Sequence, residues 1–151
     1  MMRIVLRDGG CGRVCRELLA ALPEWFGLEA SNLAYENDAE SLPTWLALQD
    51  DEPVGLMILK PHAEAMEIWL MAVRRELRGG GTGRALVAEA VNATREAGFG
   101  FLTVKTLGPS HPSQPYAETR AFYRAVGFTP LEEFTEIWGP ENPSLFMVRP
   151  V

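Results

Sequence analysis

Arg78-Gly79-Gly80-Gly81-Thr82-Gly83-Arg84 is the stretch of this chain whose residue types and spacing point most directly to chemistry. An apolar, strand-like run, 68–73, and a short basic segment precede it, and a strongly periodic segment follows at once. Glycines adopt backbone conformations closed to other residues and let a ligand approach the main chain. The first turn of a helix carries N–H groups without intrahelical partners, and the helix dipole adds positive potential there. Glycines leading into a helix therefore form an anion site suited to a pyrophosphate. Several consecutive glycines are costly in chain entropy, which disfavours a plain turn at this place.

The order of residues selects among phosphate-binding loops. A Walker A loop requires a Gly-Lys-Ser/Thr ending, and Gly81-Thr82-Gly83-Arg84 does not supply it. A dinucleotide fingerprint requires G-x-G-x-x-G. Read from Gly79, the third glycine falls on Arg84; read from Gly81, it falls on Leu86. What fits is Arg-x-x-Gly-x-Gly after a strand, which resembles the acetyl-CoA-binding motif of the GNAT superfamily of N-acetyltransferases. A second segment, Phe122-Tyr123-x-x-x-Gly127-Phe128, resembles that family's later helix, whose tyrosine faces the departing thiol.

Composition bounds the alternatives. A length of 151 residues suggests one domain, 1–151, able to bury a core without staples. Hydrophobic residues at 47% and charged residues at 23% are ordinary for a globular chain. No apolar run approaches the roughly 20 residues that span a bilayer, and the amino terminus lacks a secretory pattern. The expectation is a cytoplasmic protein without a membrane partner. Cys11 and Cys15 are the only cysteines, four residues apart. A closed zinc site needs about four ligands, so both are read as reduced thiols and no metal is expected.

The formal net charge of −6 argues against nucleic acid as a partner. The charge is unevenly spread. Over residues 72–84, four arginines stand against one glutamate, a net +3, so the remainder carries −9. A basic patch at the glycines suits an anionic cofactor, and the acidic remainder suits solubility or a cationic co-substrate.

The elements that must position these groups read as follows. A strand over 3–7 leads to a helix over 12–22, and a second, poorly periodic helix covers 28–41. A hairpin joins 45–48 to 54–59 through Gln49-Asp50-Asp51-Glu52, and a strand covers 67–73. The best helix is 82–97, with Leu86, Ala90, Ala93 and Ala97 on one face beside Val87 and Val91, and Gly98 at its end. Then come a strand over 101–106, a proline-rich loop, a helix over 116–126, a strand over 128–134 and a closing strand over 145–149. Met57, Met66 and Met147 read as core filling. This order predicts an α/β (α+β) fold, with a mixed, mostly antiparallel central sheet flanked by about four helices. It is also similar to the GNAT order across nearly the full chain.

The resemblance implies acetyl-CoA as co-substrate and an amine-bearing acceptor, small molecule or peptide; a homodimer is compatible with it. Carried over by position, Met71, Ala72 and Val73 would bind the pantetheine arm through their main chain. Arg78, Gly79, Gly80, Gly81, Thr82, Gly83 and Arg84 would cradle the pyrophosphate. A main-chain N–H near Met71 would polarise the thioester carbonyl. Where family members often carry an asparagine, this chain has Tyr116, Thr119 and Arg120, so no asparagine contact is implied.

Tyr123 is the candidate general acid for the leaving thiolate. A thiol's ordinary pKa is about 8.5 and tyrosine's about 10, close enough for proton donation. Glu67 is the candidate general base, because Glu67-Ile68-x-x-x-Ala72-Val73 resembles the histone-acetylating branch at the same offset from the loop. Glu64, His62, His111, Glu118 or a water chain are alternatives for that role. Trp45, Trp69, Tyr116 and Trp138 are aromatic positions able to stack on a cationic or ring-bearing acceptor. Two other functions fit the same residues: a non-catalytic module that holds or senses CoA, and acyl transfer to oxygen or from a longer acyl donor. Residues 23–42 and 107–116 should shape the acceptor pocket, and they carry no motif that names the acceptor.

Overall fold

A computed structural model describes all of residues 1–151. Its elements run β1 (Met2–Arg7), α1 (Gly12–Ala20), α2 (Glu29–Ser41), β2 (Thr44–Gln49), β3 (Glu52–Pro61), β4 (Ala65–Val73), α3 (Thr82–Glu96), β5 (Phe101–Leu107), α4 (Gln114–Ala125), β6 (Thr129–Phe134) and β7 (Ser144–Pro150). The seven strands form one sheet in the order β1-β2-β3-β4-β5-β7-β6. The pairs β1/β2, β2/β3, β5/β7 and β6/β7 are antiparallel, and β4/β5 is parallel. The expected mixed, mostly antiparallel sheet with four helices is what the chain forms.

Two compact units divide the chain: Met1–Lys60 with Trp69–Ala90, and Pro61–Ile68 with Val91–Val151. In the first, Cys15, Leu18, Leu19 and Leu22 of the α1 region bury against Leu46 and Leu48 of β2, Leu56 and Ile58 of β3, and Leu70 and Ala72 of β4. The start of α1 is tied to the end of α2. The N–H groups of Gly10 and Cys11 donate to the carbonyls of Glu40 and Ala39 at 2.9 and 3.0 Å, and Gly12 N–H donates to the Glu40 side chain at 3.2 Å. These bonds satisfy donors that a helix start leaves over. The β2–β3 hairpin turns through Asp50 and Asp51, at φ 51° and 70°. Aspartate tolerates that region better than most residues, and such a turn matches the twist of the flanking strands.

Helix α2 has weak amphipathicity, with Ala39 as its one fully buried residue. Its anchors are aromatic and polar. Tyr35 packs edge-on between Phe26 and Trp69, at 6.2 and 6.3 Å, and Asp38 accepts the Trp69 indole N–H at 2.8 Å.

In the second unit, β7 lies between β5 and β6 and pairs with both. The buried side chains of this unit include Leu102, Val104, Tyr123, Phe128, Leu145 and Met147. Helix α3, whose residues up to Ala90 belong to the first unit, buries Leu86, Val87, Ala90, Val91 and Thr94. The expected stripe through Ala97 is therefore corrected. Three- and four-residue steps carry the face from Val87 through Ala90 and Val91 to Thr94. Ala97 lies past Glu96, where the chain turns through Gly98 at φ 81°, and it is exposed. Met57 and Met147 fill the core as expected, whereas Met66 is only half-buried.

Candidate active site

The first group of site residues lies in the first unit. After Val73 the chain makes a short 3-10 turn, Arg75–Leu77, and enters the glycines. Arg78 N–H donates to Arg75 O and Gly80 N–H to Leu77 O, each at 3.1 Å, so the basic segment winds tightly. Gly79 and Gly81 take φ values of 80° and 95°, a region that favours glycine. A Cβ built at either would project into open space, with no atom within 4 Å. The main chain therefore faces outward there. The ladder of α3 opens with Ala85 N–H donating to Gly81 O at 3.0 Å. The N–H groups of Thr82, Gly83 and Arg84 precede that bond and belong to the unpaired first turn. Open glycine backbone running into the first turn of a 15-residue helix fits a pyrophosphate.

Arg78 has a neighbour that the sequence alone did not suggest. Its guanidinium lies 3.9 Å from the centre of the Trp25 ring, and that of Arg75 lies 5.8 Å away. Arg75 also pairs with Glu24. The segment after α1 thus grips the basic face of the glycine loop. Met71 is half-buried, while Ala72 and Val73 are buried. The parallel register joins Ala65–Ile68 to Phe101–Val104, and β4 continues beyond it to Val73. Met71, Ala72 and Val73 lie outside that register.

The second group lies in the second unit. Glu67 is a buried carboxylate, 3% exposed. Its Oε1 lies 2.6 Å from His62 Nε2, and its Oε2 lies 3.2 Å from Lys105 Nζ. Burying a carboxylate is costly without partners, and two partners meet it here. Lys105 also stands 5.2 Å from the Phe146 ring. His62 was among the alternative bases; its contact with Glu67 spans the β3–β4 turn. Lys105 was missed. Glu67 faces Thr103 across the parallel register, and Lys105 follows two residues later on the same side of β5, a signal that strand alternation carries once the pairing is known.

Tyr123 is buried, at 5% exposure, on the last turns of α4. Its ring packs edge-on against Phe122 and Phe128, at 5.3 and 5.4 Å. Helix α4 begins earlier than periodicity suggested, because Ser113 caps it by accepting from Tyr116 N–H and Pro115 fits its first turn. Of the residues at the asparagine position, Arg120 donates to the Leu107 carbonyl at 2.7 Å and Thr119 to the Pro115 carbonyl at 3.2 Å.

The remaining candidates separate. His111 Nδ1 lies 3.0 Å from the Glu141 carbonyl oxygen. Glu64 and Glu118 are exposed. Trp69 is held by Asp38 and carries the Lys60 ammonium 3.7 Å from its ring centre. Trp45 and Tyr116 are half-buried, and Trp138 is 40% exposed. Cys11 and Cys15 are free, buried thiols. No helix is long and apolar enough to cross a membrane.

A glycine loop between a strand and a helix, in a seven-stranded mixed sheet, defines an α/β protein with a candidate anion site. The model of the acetyltransferase (GNAT) family matches residues 13–128, and the chain belongs to that family of acetyl-transferring enzymes. Solved structures share the fold. A GNAT-family protein from Desulfovibrio desulfuricans superposes with a TM-score of 0.83 at 18% identity, covering 99% of both chains. The ribosomal-protein-S18-alanine N-acetyltransferase of Escherichia coli gives 0.78 at 15% identity, over 100% of this chain and 94% of that one. A GNAT acetyltransferase from Elizabethkingia anophelis with acetyl-CoA bound gives 0.74 at 16% identity, over 99% and 98%. No curated protein sequence is a significant match.

Proposed function

We propose that this protein transfers acetyl from acetyl-CoA directly to a primary amine, and that residues 1–151 act as one catalytic domain. The observation that carries this reading is the outward-facing backbone of Gly79 and Gly81 at the start of α3, after the strand the family uses for CoA. The family match, 13–128, crosses both compact units, which supports a single catalytic domain. The Elizabethkingia relative binds acetyl-CoA, which supports the same co-substrate here. In this reading the loop 78–84 holds the pyrophosphate through main-chain N–H groups, and Met71, Ala72 and Val73 hold the pantetheine. Two reduced, buried thiols agree with a cytoplasmic setting.

Three problems must be solved in the transfer. An amine with a lysine-like pKa of about 10.4 is an ammonium at neutral pH and must lose a proton before it attacks. Glu67 supplies the basic charge for that loss, directly or through an intervening group. The amine nitrogen then bonds to the thioester carbon as the C–S bond breaks. Tyr123 gives its proton to the departing thiolate and regains one from the nitrogen that has become an amide. The sum is one amide, one free thiol and one proton released to water.

The test is thiol release from acetyl-CoA with a panel of primary amines and peptides carrying free amino termini, followed by mass spectrometry of the product. An acceptor heavier by one acetyl group supports the reading. Tight acetyl-CoA binding with no thiol released by any amine would favour a CoA-holding module instead.

A further inference from the structure

Glu67 and His62 differ sharply in accessibility. The Glu67 side chain is 4% exposed, and the His62 side chain, 2.6 Å away, is 53% exposed. Lys105 Nζ reaches both carboxylate oxygens, 3.2 Å from Oε2 and 3.5 Å from Oε1. A bulky acceptor approaching from solvent therefore meets the imidazole before it meets the carboxylate. A neutral imidazole has one N–H donor and one nitrogen acceptor. A carboxylate is acceptor-only, so with Glu67 in that form the 2.6 Å contact calls for the ring proton on Nε2, pointing at Oε1. Nδ1 is then left with its lone pair. A buried carboxylate that sets the tautomer of an exposed imidazole, and steadies the imidazolium formed on protonation, is how acid–base dyads work on unrelated folds.

We propose that His62 Nδ1 is the atom that accepts the acceptor's proton, and that Glu67 acts through His62 as its positioning carboxylate. This deepens the transfer reading and rests on it. The ammonium N–H bond breaks and its proton bonds to Nδ1. The ring becomes an imidazolium whose Nε2–H stays on Glu67. The freed nitrogen pair attacks the thioester, and Nδ1 returns its proton to water once the product leaves. Lys105, 3.2 Å from Oε2 and 3.5 Å from Oε1, compensates the charge of Glu67. The ring meets the Glu67 carboxylate, which is itself paired with Lys105, and Glu64 is exposed in the same turn.

Two measurements decide it. The first needs no acceptor: two-bond ¹H–¹⁵N spectra of the labelled protein, with His62 assigned by its loss in His62→Gln. Wild type should show the Nε2-protonated tautomer, and Glu67→Gln should lose that preference. A neutral His62 protonated on Nδ1 would overturn the proposal. The second is the pH–rate profile of thiol release with two amines of high and low pKa drawn from the panel. With the high-pKa amine, His62→Gln should lower kcat/KM by about 10²–10⁴-fold and remove the acidic limb, with partial recovery at alkaline pH. The low-pKa amine should suffer far less. His62→Ala should regain rate when imidazole is added, which a structural role would not produce. Profiles of His62→Gln that superimpose on wild type would sink His62 as the base. Silence of the wild type across the whole panel would overturn the transfer reading itself, and the role of His62 with it, whatever tautomer the spectra give.

Discussion

The guanidinium of Arg78 stacks 3.9 Å from the centre of the Trp25 ring, so the segment between α1 and α2 holds the arginine that opens the glycine loop. Arg75 adds an ion pair to Glu24 beside it. Ordering a long side chain in advance lowers the entropy lost when a ligand binds.

Trp25→Leu keeps apolar bulk and removes the aromatic face. An exposed cation–π contact is worth about 0.5–1 kcal/mol, so KM for acetyl-CoA should rise about two- to five-fold. Turnover at saturating acetyl-CoA should change less. Steady-state kinetics over a range of acetyl-CoA concentrations check this. An unchanged or lowered KM would mean that Trp25 does not order Arg78 for the cofactor.

Gly81→Val places a β-branched side chain at φ 95°. The cost is on the order of 1–3 kcal/mol of local strain, in a loop where the new Cβ meets no other atom. The domain should stay folded by circular dichroism. CoA binding by calorimetry should vanish, because valine covers the outward-facing main chain. A folded variant with wild-type CoA affinity would remove the loop from the binding site.

Tyr123→Phe retains the packing against Phe122 and Phe128 and deletes the hydroxyl. If protonation of the thiolate limits the rate, turnover should fall by about 10²–10⁴-fold with little change in acetyl-CoA affinity. Single-turnover kinetics isolate the chemical step. Wild-type speed in that step would leave the phenol a packing role.

Burial, reinforced by Glu36, Asp38 and Cys11, pushes the Cys15 thiol up to about 12. The folded state therefore keeps this proton while the unfolded chain ionises near the ordinary thiol value of about 8.5. Stability contributed by the protonated thiol is complete below that value and is lost as pH rises towards about 12. Urea titrations across the alkaline range should show a shallower decline in Cys15→Ala than in wild type. Equal slopes would count against the burial effect. Native Cys15 should also resist alkylation near neutral pH, because the reactive thiolate is suppressed.

The glycine loop and its helix are legible in the sequence because everything they depend on is local. The strand, the glycines and the start of α3 are consecutive, and their roles rest on backbone permissiveness and unpaired N–H groups within a few residues. The Asp50-Asp51 turn and the ends of most strands are readable for the same reason. Helix α2 is barely legible, because Tyr35 and Asp38 anchor it to Phe26 and Trp69 rather than through a periodic apolar stripe. The insertion of β7 between β5 and β6, and the meeting of Glu67 with Lys105, are decided by tertiary structure. Glu67 and Lys105 are 38 residues apart. Only the parallel pairing of β4 with β5 brings them to one place, and strand pairing across such distances is set by burial of whole sheet faces, to which no short window of sequence is sensitive.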